Sequence, residues 1–112
     1  MELVVEDMPG GVTRAVLSGR MDIEGALAID AQFGAALAFR RALVVDLSGV
    51  TFMASMGLRT LMLCARAVGG NGGRMALAQP RPNVAKVLEE SGIGDIIGVY
   101  PSVDAASTAV TA

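Results

Sequence analysis

Two short β-rich runs open the chain and predict a pair of antiparallel strands. Residues 2–6 read ELVVE and residues 12–18 read VTRAVLS, and both runs favour strand structure. Between them, the MPGG segment at 8–11 combines a fixed proline φ with permissive glycines, which is typical of a hairpin turn. Gly19 then marks the predicted end of the second strand.

After this hairpin, apolar positions recur at helical spacing around a short, continuous apolar run. Asp22 is a candidate N-cap for a first helix over 23–39. The predicted buried face of that helix consists of Ala26, Ile29, Phe33 and Leu37. The run LVVDL at 43–47 predicts a central strand covered on both faces. A second helix is expected over 56–68, with its buried face on Leu58, Leu61, Cys64, Ala65 and Val68.

The second half of the chain continues the alternation of strands and helices. The predicted elements are a glycine turn at 69–73, a strand at 74–79, a helix from Pro82 to Ser91, a strand at 96–100, and a helix at 103–110 capped by Ser102. The order β-β-α-β-α-β-α-β-α implies right-handed crossovers and parallel strands from the third strand onward. The sequence therefore predicts one α/β domain over 1–112, with helices on a mixed β-sheet.

Composition narrows the class of protein. The chain has 112 residues, of which 53% are apolar and 18% charged, so a folded, soluble domain is expected. Its apolar runs fall short of the ~20 residues that span a bilayer, so we expect no membrane insertion. The amino terminus lacks the features of a secretory signal, and the lone Cys64 forms no internal disulfide. These features favour a cytoplasmic protein.

Charge and residue usage argue against nucleic-acid binding and against catalysis. The formal net charge is −2, aromatic residues make up 4%, and no basic run is present, whereas nucleic-acid binding needs a basic surface. The chain has no histidine, which removes Ser-His-Asp and Cys-His catalysis and makes a zinc site implausible. We therefore expect neither an enzyme nor a cofactor or metal site.

Several polar residues have plain structural interpretations. Asp46 ends the central strand, and we expect its carboxylate to accept hydrogen bonds from N–H groups of the next turn. Cys64 is expected to fill space in the core. The scattered arginines are expected on the solvated surface; they are Arg14, Arg20, Arg74 and Arg81.

Among the polar residues, Ser55 has the position that points most strongly to a functional role. It directly precedes the second helix, where N–H groups lack partners and the helix dipole favours negative charge. One interpretation is an N-cap that contributes on the order of 1 kcal/mol. The other is a phosphorylation site, because a phosphate would meet the positive end of the helix with Arg59 one turn on. The two interpretations are compatible.

The predicted solvent side of the second helix is unusually apolar. Arg59 and Arg66 lie there beside Met56, Met62 and Leu63, and a mixture of Met and Arg is enriched in protein interfaces. The alternative is that Met62 and Leu63 tuck under neighbouring loops or the third helix.

Taken together, these segments resemble the STAS domain, named for sulfate transporters and anti-sigma factor antagonists. The resemblance rests on DLSGVTFMASMGL at 46–58, on GGRMALAQPRPNVAKVLEESGI at 72–93 and on the closing IIGVYPSVDAA, with SGRMD at 18–22 leading into the first helix. It implies a mixed sheet with helices packed chiefly on one face.

A free-standing domain of this type most resembles the bacterial anti-sigma factor antagonists, which act in signal transduction and transcription regulation by partner switching. The resemblance implies that the unphosphorylated protein binds an anti-sigma factor that is also a serine kinase. Phosphorylation of a serine at the start of the second helix ends binding, and a PP2C-type phosphatase restores it. ATP and Mg²⁺ would belong to the kinase.

Carried onto this chain, the resemblance makes Ser55 the phosphoacceptor, ahead of Thr51, Ser48 and Thr60. The implied partner-binding residues are Arg20, Asp22, Ala54, Met56, Gly57, Leu58, Arg59, Met62 and Leu63. Many family members read Asp-Ser-Ser-Gly or Asp-Ser-Thr-Gly in this stretch, with the acceptor often directly before the glycine. Here Ala54 replaces the aspartate and Met56 precedes the glycine, so either Ser55 is the acceptor or the domain binds constitutively.

Two further interpretations stay open at this level. Some small STAS proteins that resemble this chain are subunits of a phospholipid-transport ATPase complex. The second interpretation is that the protein forms a homodimer through Met56, Met62 and Leu63.

Overall fold

The computed structural model describes residues 1–112, and its strands form one five-stranded mixed sheet. The strands are β1 (Glu2–Met8), β2 (Val12–Met21), β3 (Ala42–Met53), β4 (Arg74–Ala78) and β5 (Gly98–Tyr100). The helices are α1 (Ile23–Leu37), α2 (Ser55–Gly70), α3 (Pro82–Ser91) and α4 (Val103–Thr111). The spatial order is β1-β2-β3-β4-β5. Only β1 and β2 pair antiparallel, so the predicted α/β class and mixed sheet are confirmed.

The two central strands are longer than their sequence pattern predicted. The expected break at Gly19 is wrong, because β2 continues through this residue at a φ of +113° and ends at Met21. β3 likewise extends beyond the predicted 43–47 to Met53, and its added half pairs with the end of β2 through two register shifts. The pairing, rather than the local residue types, holds both extensions.

Other boundaries differ by a few residues. α1 ends at Leu37 rather than at residue 39. α3 ends where predicted, at a left-handed Gly92, and the chain then makes a 3₁₀ turn over Ile93–Asp95. This turn shortens β5, which begins at Gly98 rather than at residue 96.

The core lies on both sides of the sheet, but most of it is under three of the helices. A cluster of 19 buried residues joins α1, α2 and α3 to one face, and a cluster of 7 joins α4 to the other. The predicted α1 face is buried at all four positions. On the predicted α2 face, Leu61, Cys64 and Val68 are buried, whereas Leu58 and Ala65 are half-buried and pack against the core. The expectation that helices pack chiefly on one face is therefore confirmed, as is Cys64 in the core. No helix is both long and apolar enough to cross a membrane.

Candidate functional site

The ends of β2 and β3 bring two predicted site segments together. Arg20 and Met21 pair with Phe52 and Met53 in the parallel register. The N–H of Ala54 then donates to the carbonyl of Met21 at 3.0 Å. Because parallel strands end at the same edge of a sheet, the segment that leads into α1 lies directly beside the segment that leads into α2.

Gly57 allows α2 to approach this strand end closely. A Cβ atom added to Gly57 would clash with Cγ of Met21 and would lie 2.6 Å from Sδ of Met53. The glycine is buried, so the structure gives it a positioning role for α2, where the sequence suggested direct contact with a partner.

Ser55 is the first residue of α2 rather than its N-cap. The cap position is Ala54, whose carbonyl accepts from the N–H groups of Gly57 at 3.0 Å and Leu58 at 3.2 Å. No side chain caps this helix, so the predicted N-cap interpretation of Ser55 is wrong. The Ser55 side chain is exposed and lies at the positive end of the α2 dipole.

The exposed side of α2 combines basic and apolar side chains with no acid. The helix contains no Asp or Glu, and Arg59 and Arg66 are exposed and take part in none of the four ion pairs of the structure. A shallow groove of about 300 Å³ runs along this side. Its lining consists of Ser55, Leu58, Arg59, Met62, Leu63 and Arg66.

The apolar residues of this groove differ in exposure. Leu58 and Met62 are half-buried and pack against the main core. Leu63 is 41% exposed. Met56 and Ala54 are half-buried at the helix start. Ser55, Leu63 and the two arginines are therefore the accessible residues of the groove.

The Arg20 to Asp22 corner beside Ser55 is held in a defined arrangement. Oδ1 of Asp22 caps α1 by accepting from the N–H of Gly25 at 2.9 Å, which confirms the predicted N-cap. Arg20 donates from Nε to Asp22 at 3.4 Å, and its guanidinium lies 4.4 Å from the ring centroid of Phe52. The Gly25 N–H, with a smaller contribution from Arg20, lowers the pKa of Asp22.

The buried carboxylate of Asp46 in β3 connects this strand to β2 and to the residue after β4. Asp46 is fully buried and accepts from Arg14 Nε at 3.1 Å, from Gln79 Nε2 at 3.1 Å and from the Ser48 N–H at 2.9 Å. Burial opposes ionisation, but the Ser48 N–H and Arg14 outweigh it, so the pKa of Asp46 lies below its ordinary value. The predicted bond to a following turn is wrong, because β3 continues to Met53 and the Ser48 N–H lies within the strand. The predicted solvated position of Arg14 is also wrong, because its side chain pairs with this buried carboxylate.

The other hydroxyls near α2 are less suited to modification. Thr60 is 4% exposed, and its Oγ1 lies 3.2 Å from Asp30 Oδ1 and 3.1 Å from the Met56 carbonyl, to which it donates. Thr51 and Ser48 are exposed, but neither lies at a helix N-terminus.

Sequence reasoning missed three exposed apolar residues beside these segments. Phe52 stacks with Arg20, and Ile23 and Leu27 project from α1 with 60% and 62% of their surface exposed. The available signal was that Ile23 and Leu27 are large apolar residues outside the predicted buried face of α1.

The comparison with known proteins agrees with this architecture. A protein-family model for the STAS domain matches residues 9–106. The chain belongs to the STAS domain family. Its fold is therefore that of a STAS domain.

Named relatives of this STAS domain include anti-sigma factor antagonists. BtrV of Bordetella bronchiseptica, named as a candidate anti-sigma factor antagonist, is 31% identical over 104 residues, which cover 92% of this chain and 90% of BtrV. An anti-sigma factor antagonist from Mycobacterium paratuberculosis is 32% identical with a TM-score of 0.88, covering 99% of this chain and 94% of that one.

A more distant structure shares the fold. The Bacillus cell fate determinant SpoIIAA in its phosphorylated form has a TM-score of 0.68 at 21% identity, with 96% of this chain and 99% of that chain covered. At this identity the likeness concerns the fold.

Proposed function

We propose that this protein is a cytoplasmic, non-enzymatic anti-sigma factor antagonist that works by partner switching. In its unphosphorylated form it binds an anti-sigma factor that is also a serine kinase. Phosphorylation of Ser55 by that kinase ends the binding, and a PP2C-type phosphatase restores it. The contact is made by the exposed side of α2 together with the Arg20 to Asp22 corner.

The observation that carries this proposal is the location of Ser55. Its exposed hydroxyl lies on the same groove as Arg59 and Leu63, so a group added to it would stand inside the contact. Relatives with 31% and 32% identity over most of the chain are named as antagonists of this kind, BtrV as a candidate, which supports the role.

Physical chemistry explains why the fold would tolerate the modification while a bound partner would not. A phosphoserine carries about −1.5 to −2 charges, which the N-terminus of α2 stabilises. Arg59 lies one turn away without an ion-pair partner, so it is free to pair with the phosphate. An anti-sigma factor seated on the groove would instead meet a new charge at close range, which costs several kcal/mol when like charges face each other.

A second candidate function is constitutive binding without a switch. It is favoured by Ala54 and Met56, which occupy the positions where many family members carry the aspartate and the acceptor. This candidate keeps the same contact surface but predicts no phosphate on the protein.

Phosphate transfer separates the two candidates. The anti-sigma factor kinases of the source organism, each purified singly, would be incubated with this protein, ATP and Mg²⁺, and the phosphopeptides identified by mass spectrometry. We expect phosphate on Ser55, its loss in Ser55→Ala, and its retention in Thr51→Ala, which removes an exposed hydroxyl four residues away. Phosphate that persists in Ser55→Ala would contradict the assignment.

Binding tests the switch itself. We expect Ser55→Asp to weaken binding of the anti-sigma factor by about tenfold or more, because the introduced charge faces the partner. Ser55→Asn has nearly the same shape without the charge and serves as the matched control. Equal affinities of the two variants would rule out an electrostatic switch and favour the constitutive binder.

A further inference from the structure

The side of α1 that faces α2 carries two large exposed apolar residues. Ile23 and Leu27 lie seven and three residues before Asp30, so the three share one side of the helix. Asp30 marks the seam between the helices, because its Oδ1 lies 3.2 Å from Oγ1 of Thr60 in α2. Ile23 and Leu27 therefore lie along the seam, beside the first turns of α2.

On the other side of the seam, α2 continues the same surface. Leu63 lies three residues after Thr60 and is exposed beside the helix seam. Arg59 and Arg66 lie further round α2 from the seam than Leu63. They are seven residues apart, which corresponds to about 10 Å along the helix axis. Ile23, Leu27, Arg59, Leu63 and Arg66 thus form one surface across both helices, which we name the α1–α2 face.

The α1–α2 face has an unbalanced charge. Neither arginine has an ion-pair partner, and α2 supplies no acid. At the seam, α1 contributes one exposed carboxylate, that of Asp30, which also takes part in no ion pair. Two arginines against one aspartate leave the face with a net positive charge. The face therefore offers two unpaired cations next to exposed leucine and isoleucine side chains.

We propose that the α1–α2 face docks an acidic and apolar surface of the anti-sigma factor, a proposal that rests on the function proposed above. Two partner carboxylates pair with Arg59 and Arg66, and apolar partner side chains cover Ile23 and Leu27. Phosphorylation of Ser55 then acts twice, because the phosphate pairs with Arg59 and also repels the acidic partner.

Charge favours this occupant over a second copy of the chain. In a two-fold symmetric contact the same patch meets itself, so a dimer centred on α2 would bring Arg59 and Arg66 towards their own copies. Each copy supplies only one exposed carboxylate on this face, that of Asp30, so one arginine of each copy would stay without a partner. Like charges placed opposite each other at an interface are unfavourable. An acidic partner pairs both cations instead.

The first test is a charge reversal, read out as the association rate with the purified anti-sigma factor at several salt concentrations. We expect Arg59→Glu to slow association by about tenfold or more and to flatten its salt dependence, because steering by opposite charges is lost. Arg41→Glu makes the same charge change at an exposed arginine at the start of β3, far from the face, and should stay within about twofold.

The second test removes an apolar contact. We expect Leu27→Gln to weaken binding by about tenfold, which is the loss of one largely buried side chain at the contact. Val4→Gln is the matched control, because Val4 is 52% exposed in the edge strand β1 and points to the sheet face opposite that of its neighbour Leu3, which packs against the core under α1, α2 and α3. Both positions are exposed, so circular dichroism should show that both variants stay folded.

The outcomes separate this inference from the proposed function. Binding by the unmodified protein that neither Arg59→Glu nor Leu27→Gln weakens would overturn the inference alone. No binding to any anti-sigma factor would overturn both proposals. A homodimer in sedimentation equilibrium that Leu27→Gln dissociates would assign the face to a second copy, which also overturns the inference.

Discussion

Replacing the buried carboxylate Asp46 with alanine should lower the free energy of unfolding by about 3 kcal/mol. Removing one partner of a buried ion pair costs ~3–5 kcal/mol when the other charge is left stranded. Here Arg14 would not be stranded, because its side chain is 31% exposed and also lies 3.5 Å from Glu6. The losses at Gln79 and at the Ser48 N–H remain, so we expect the lower end of that range.

Urea unfolding followed by far-UV circular dichroism measures this change, since the chain has no tryptophan for a fluorescence assay. With a denaturant slope of ~1.5 kcal/mol per molar, a loss of about 3 kcal/mol lowers the midpoint by about 2 M. Asp7→Ala is the matched control, because Asp7 is 87% exposed and pairs only with Arg40 at 3.5 Å. An Asp46→Ala variant within about 1 kcal/mol of the unmodified protein would refute the reasoning.

The same carboxylate predicts a pH dependence with a definite sign. The pKa of Asp46 is lower in the folded state than in the unfolded chain, where aspartate titrates near ~3.9. Its contribution is therefore complete above about pH 5 and is lost as pH falls through the folded pKa. The stability gap between the unmodified protein and Asp46→Asn should stay constant from about pH 7 to 5 and narrow below about pH 4. A gap that persists unchanged to about pH 3 would contradict the assigned shift.

Three further predictions concern packing and helix ends. Gly57→Ala should cost about 1–3 kcal/mol in urea unfolding and weaken partner binding, because the new methyl group meets Met21, whereas Gly34→Ala in open space on α1 should be neutral or stabilising. Cys64 should resist a thiol reagent at pH 8 until denaturant is added, since burial raises the pKa of its thiol to about 11; full reaction in native buffer would contradict this. Ser102→Ala should lose ~1 kcal/mol by removing the N-cap of α4, and no measurable loss would contradict the capping role.

Local patterns were sufficient for most of the fold. The spacing of apolar residues identified the buried faces of α1 and α2, because a helix that packs on a sheet must bury one stripe. Asp22 and Ser102 were predicted as N-caps and Gly92 as a helix stop, and all three are observed. These signals depend on a few neighbouring residues, so they can be interpreted without knowing what packs against them.

Strand length and helix registration depended on distant residues. The far half of β3 and the continuation of β2 beyond Gly19 exist because the two segments pair with each other. The start of α2 was misplaced by one residue, which turned Ser55 from a predicted N-cap into the first helical residue. A serine N-cap contributes only on the order of 1 kcal/mol, which tertiary packing can outweigh. In the observed register Gly57 packs closely against Met21.

The sequence by itself determined the α/β class, the order of elements, the family resemblance and Ser55 as the candidate acceptor, because periodicity and motifs lie in local runs of residues. Only the tertiary structure decided which surface Ser55 belongs to. The parallel ends of β2 and β3 set α1 beside α2, so Ile23 and Leu27 join Arg59 and Leu63 on one face. Exposure and ion pairing depend on contacts between residues far apart in the chain, and such contacts exist only in the folded protein.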